Sequence, residues 1–120
     1  MSSAKDLLMT KSMDLAVRVV NLYKWLCNEK KEFVLSKQLL RSGTSVGANL
    51  SEAQSAISRA DFAAKVYISL KEAKETLYWI ELLHKTDYLD DKLYLSIHND
   101  TNEMVSLLVS VTKKLQPGSH

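Results

Sequence analysis

The chain has 120 residues, which suits one domain with its own core. Apolar residues make up 46% and charged residues 25%, a balance that excludes disordered and collagen-like classes. The net charge of +2 demands neither nucleic acid nor a membrane surface, although residues 1–50 carry eight basic residues against four acidic ones. That mildly basic half is compatible with nucleic acid. A single cysteine, Cys27, rules out an internal disulfide and any CxxC pair, and fits a reducing cytoplasm. The start of the chain lacks the apolar region of a signal peptide, and the run Val105–Val111 is too short to span a bilayer.

No stretch alternates with period two, so the expected class is all-α. A first helix is predicted from about Asp6 to Glu29, with Leu8, Leu15, Val19, Leu22 and Leu26 on one side. "NEKKEF" forms a polar joint. The second helix, from about Leu35 to Ile57, carries the stripe Leu35, Leu39, Val46, Leu50, Ala53 and Ile57, with Ser42 in the vacant position. Ser58 and Asp61 then have capping-box spacing. A third helix, from about Ala60 to Lys85, is expected to bury Ala63, Val66, Leu70, Ala73, Leu77 and Ile80. Asp90 is the expected N-cap of a fourth, from about Asp91 to Leu115, which Pro117 and Gly118 end. Short joints force neighbours to run antiparallel, so residues 1–120 are predicted to form a single up-down four-helix bundle.

"GTSVG", Gly43 to Gly47, matches the G-x-S-x-G pattern of a nucleophile elbow. An elbow needs a strand running into a tight turn and a sheet to supply its partners. Here both flanks have helical periodicity, so Ser45 is not read as a nucleophile, no catalytic residue is assigned and no enzymatic activity is expected. Gly43 and Gly47 instead lie one above the other on a helix. Each costs about 1 kcal/mol relative to Ala, a cost offset if a neighbouring helix comes unusually close. "ELLH" places Glu81 and His84 at the spacing of di-iron bundles, but such sites need two of these motifs, and His98 has Leu95 where the second Glu would stand. No metal or cofactor is assigned. Asp100, at the edge of the fourth helix's apolar arc, is expected to meet an Arg or Lys from another helix.

The third helix has more apolar surface than a bundle core requires: Ile68, Tyr78, Trp79 and Leu82 lie beyond the core arc. Tyr94, Val105 and Val109 flank the stripe of the fourth, and Trp25 stands among polar neighbours on the first. This grouping reads as a self-association surface, against the competing reading of a wide core. Arg18 and Lys24 fall on the solvent side of the first helix, and Lys37 and Arg41 share a side of the second. These four are the candidate nucleic-acid contacts; the competing reading is that they only keep the bundle soluble.

"QLLRSGTSVGANLSEA", Gln38 to Ala53, resembles the signature of the four-helix-bundle proteins encoded in bacterial 23S rRNA intervening sequences. Gln38, Leu39, Arg41, Ser42, Ser45, Val46, Asn49, Leu50 and Glu52 carry the likeness. "LKEAKETLYWIELL", Leu70 to Leu83, is similar to that family's third-helix segment. Many members have Gly where this chain has Ala53, which suggests that the second helix continues past that point. The resemblance implies a homo-oligomer, a five-subunit ring, with no known catalytic activity. It also implies kinship with accessory proteins of diversity-generating retroelements, hence structured RNA as a partner, or a protein partner such as a reverse-transcriptase-like enzyme. Asn49 and Glu52 read as a structural polar pair.

Overall fold

The computed structural model describes residues 4–116, all of them in four helices and their joints: α1 (Ala4–Glu29), α2 (Leu35–Ala53), α3 (Arg59–Lys85) and α4 (Asp91–Leu115). The Pro117–Gly118 stop signal lies outside the described residues. Each helix packs on its neighbours in chain order and α4 returns to α1, while among the described residues the main chains of diagonal helices stay apart. This is the antiparallel up-down bundle, 46 Å along its longest axis.

Apolar spacing of three and four builds the core. Leu15, Val19, Leu22 and Leu26 of α1 meet Leu39, Val46 and Leu50 of α2, Val66, Ala73 and Ile80 of α3, and Ile97, Met104 and Leu108 of α4. Two elements depart from the sequence reading. First, α2 ends at Ala53, so neither its continuation past Ala53 nor the burial of Ile57 holds; Ile57 is 93% exposed. The cause lies in the next helix. Ser58 has extended backbone and its hydroxyl accepts from the Asp61 amide, while the Asp61 carboxylate accepts from the Ile57 amide at 3.2 Å. That reciprocal cap of α3 draws residues 57 and 58 out of the preceding coil.

Second, α3 turns a different arc inward. Leu70 and Leu77 are half-buried, whereas Ser69, Glu72 and Thr76 are buried. Small hydroxyls let α2 and α3 close together and satisfy themselves in doing so. Ser69 Oγ donates to the Val46 carbonyl at 2.8 Å, and Thr76 Oγ1 lies 2.9 Å from Ser42 Oγ.

The joints are fixed by specific bonds. After α3, the Tyr88 amide donates to the Leu83 carbonyl and the Asp87 amide to the His84 carbonyl, with Asp87 at φ 68°. This is a Schellman stop with an aspartate where glycine is usual. Asp90 then caps α4 by accepting from the Leu93 amide at 2.8 Å, as expected.

Candidate nucleic-acid interface

Gly43 and Gly47 lie inside α2, with no strand among the described residues. A Cβ built at Gly43 would stand 2.7 Å from Val19 Cγ1 and 2.8 Å from Cγ2, so at this level only a hydrogen fits between α2 and α1. At Gly47 the nearest atom would be Ser12 Oγ, at 3.2 Å. Ser45 Oγ donates to the Arg41 carbonyl at 2.6 Å, the back-bonding of a mid-helix serine. Asn49 and Glu52 take separate partners: Asn49 Nδ2 donates to the Ser45 carbonyl, and Glu52 pairs with Lys65 across the α2–α3 joint at 2.8 Å.

The four candidate cations divide into two classes. Arg18 Nη1 donates to Asp100 Oδ2 at 2.5 Å and to the Ser96 carbonyl, and Nη2 donates to Ser96 Oγ. This is the partner expected for Asp100, and it ties α1 to α4. Arg41 donates to Glu72 at 3.2 Å and to Glu75, tying α2 to α3. Glu75 also accepts from Trp79 Nε1 at 2.9 Å. Lys24 and Lys37, by contrast, are exposed, and among the described residues their ammonium groups have no hydrogen-bond or ion-pair partner.

The two free lysines flank the α1–α2 turn, where the sequence reading saw only a polar joint. Glu32 is the organising residue there. Its carboxylate turns inward and accepts from the amides of Ser36 (2.7 Å), Leu35 (3.1 Å) and Val34 (3.2 Å), while Ser36 Oγ donates to the Glu32 carbonyl. Val34, the formal N-cap, contributes no side-chain bond, so Glu32 caps α2 from upstream. Burial alone would raise its carboxyl, but the amide bonds from Ser36, Leu35 and Val34 outweigh that and hold it below the usual glutamate value. The turn's other charges point outward: Glu29, Lys30 and Lys31 are exposed. Lys30 Nζ lies 5.4 Å from the Trp25 ring centroid, and Lys31 has φ 54°, a left-handed conformation uncommon for lysine. Phe33 is 54% exposed.

The predicted self-association residues also divide. Trp79, Tyr94 and Val105 pack on the core, Leu82 and Val109 are half-buried, and Ile68, Tyr78 and Trp25 are exposed. A second apolar face escaped the sequence reading. Met13 and Val17 of α1 are 62% and 54% exposed. Beside them, Met9, Met13 and Ala16 form a groove of about 190 Å³ with Thr44, Gly47 and Ala48 of α2. The signal was present in the sequence as Met9, Met13 and Val17, each four residues from the next.

His84 and His98 lie against a ring and a carboxylate each. His84 Nε2 lies 2.7 Å from Asp91 Oδ1 and its ring stacks on Tyr94 at 4.0 Å between centroids; His98 lies 3.8 Å from Glu81. Among the described residues no group of three His, Cys, Asp or Glu side chains converges on one point, and no helix is long and apolar enough to cross a membrane.

Comparison with known proteins agrees with this architecture. No curated protein matches the chain. A crystal structure of a protein of unknown function from the S23 ribosomal protein family of Bacteroides thetaiotaomicron is 56% identical, with a TM-score of 0.91 over 92% of this chain and 99% of that one. The profile of the 23S rRNA-intervening sequence proteins matches residues 5–110, which include the Gln38–Ala53 signature, the close-packed glycines and the lysine-flanked turn. This chain belongs to the 23S rRNA-intervening sequence protein family.

Proposed function

We propose that the protein is a non-enzymatic, self-assembling bundle of the cytoplasm that binds structured RNA. The observation that carries the reading is the cationic turn between α1 and α2, where Lys24 and Lys37 are free while Arg18 and Arg41 are committed to ion pairs within the fold. A five-subunit ring would repeat this turn once per subunit, so weak phosphate contacts would add by avidity. Self-assembly is supported by Met13 and Val17, large apolar side chains exposed one turn apart beside the apolar Gly47–Ala48 groove.

Two measurements test it. Native mass should correspond to a ring, and Met13→Glu combined with Val17→Glu should reduce it to the monomer without unfolding the bundle. A gel shift with structured 23S rRNA fragments should give an affinity that falls steeply with salt. A second reading, a scaffold for a protein partner such as a reverse-transcriptase-like enzyme, is favoured by Tyr78 and Ile68, exposed side chains on α3 away from the α1–α2 groove. No shift at low salt would decide for that reading. Purified Ser45→Ala should behave as wild type in both assays.

A further inference from the structure

The RNA-binding reading does not say what part of an RNA is held. We infer that the Lys24–Lys37 turn takes unpaired bases of a loop or single strand, stacked on Phe33, rather than the grooves of a duplex. This inference rests on the proposed RNA binding and refines it.

Three independent features of the turn converge. Phe33 is 54% exposed and lies outside the core cluster. It has no ring partner among the described residues. The start of α2 is secured by Glu32, and no bond of that cap uses the Phe33 side chain. Exposed aromatic faces amid cations are how proteins hold unpaired bases, because every base has a face to stack.

The second feature is charge. Lys24, Lys30, Lys31 and Lys37 are all exposed, and of the two acids in the stretch Glu32 spends its carboxylate on α2 amides. Glu29 is the one exposed acid of this stretch, while the α3–α4 joint at the same pole adds Asp87, Asp90 and Asp91, which line a pocket with Lys30 and Trp25. The third is backbone strain. Lys31 adopts φ 54°, where a glycine would sit without penalty and a residue with a Cβ costs about 1 kcal/mol. The Glu32 amide reaches back across it to the Leu26 carbonyl at 3.1 Å, so this residue ends α1 and leaves the exposed Lys31 side chain on the turn next to Phe33. A duplex offers no exposed base faces, so it would leave Phe33 unused.

Fluorescence anisotropy with a labelled uridine 12-mer and a blunt RNA duplex of equal length, over stepped potassium chloride, tests this. Wild-type protein should prefer the single strand by at least about 10-fold. Phe33→Ala should weaken single-strand binding by about 5- to 100-fold with little change in salt slope, and Phe33→Trp should retain it. The triple variant Lys30→Ala, Lys31→Ala, Lys37→Ala should lower the slope by about 2, since each lost single-strand phosphate contact is worth about 0.7. Melting curves and native mass accompany each variant. Equal affinity for duplex and single strand with Phe33→Ala unchanged would overturn the inference while leaving RNA binding intact. A Phe33→Ala protein of reduced native mass would also overturn it, by assigning the ring to a subunit contact. No binding of either RNA at the lowest salt would overturn both readings.

Discussion

The seams that α2 makes and the seam between α1 and α4 are closed by opposite means. Against α1, α2 presents Gly43, and against α3 it presents Ser42, so main chains come close and little side-chain length separates them. Between α1 and α4 the contact is the sparsest of the four, and long side chains span it: Arg18 to Asp100 and Ser96, and Lys11 to Glu103 at 3.2 Å. A groove of about 280 Å³ remains there, lined by Arg18, Trp25, Leu93 and Ile97. A seam closed by backbone proximity has no slack, whereas one bridged by flexible arms can adjust. Tolerance to substitution should therefore differ sharply between them.

The largest expected effect is at Gly43. Gly43→Leu should cost more than about 3 kcal/mol in urea denaturation, because Val19 is buried, β-branched and stiff and cannot retreat. Val19→Ala in the same chain should recover part of the loss. Gly47→Ala sharpens the point within one motif: its nearest neighbour is a serine hydroxyl that can rotate, so the change should be neutral or stabilise by up to about 1 kcal/mol through helix propensity. A comparable loss at both glycines would break the account of the α1–α2 seam.

Arg41→Ala comes next. It strands Glu72, whose carboxylate is mostly buried, and should cost about 1–2 kcal/mol after allowance for the exposure of the arginine. Glu32→Gln should cost a comparable amount, about 1 kcal/mol, at neutral pH through a weaker cap on α2. Its pH dependence has a definite sign. The folded carboxyl is held below its ordinary value of 4.5, so its stabilisation is complete above that value and is lost as pH falls through the folded one. Melting temperatures of wild type and Glu32→Gln should thus converge in acid; a constant gap would contradict the cap. The smallest effect is expected at the adjustable seam, where Arg18→Ala should cost at most about 1 kcal/mol.

Helix count, class and most core positions were legible in the sequence because periodicity reports burial directly: Leu15, Val19, Leu22 and Leu26 are all core. The glycine pair was legible too, since its spacing allows only one helical face. What stayed hidden depends on partners. Asp61 competes for the Ile57 amide only once α3 begins, so a stripe drawn through Ile57 looks continuous. Ser69 and Thr76 lie off the predicted apolar stripe of the third helix, and their burial shows only once α2 supplies their acceptors. The four candidate cations are alike in a string of letters; ion pairing across α1–α4 and α2–α3 separates Arg18 and Arg41 from Lys24 and Lys37. The Met13–Val17 face differs again: its spacing of four is visible in the sequence, but Met and Val at helical spacing look the same whether they enter a core or face outward.

An even number of antiparallel rods also sets a direction for handling the molecule. Ala4 and Gln116 emerge at one pole, where Arg59 also reaches the Lys114 carbonyl, and the Lys24–Lys37 turn occupies the other. A fusion partner or surface tether attached at either of those residues would hold the bundle upright with the pole that carries both the Lys24–Lys37 turn and the α3–α4 joint toward the medium, so capture assays on immobilised protein would leave that pole unobstructed.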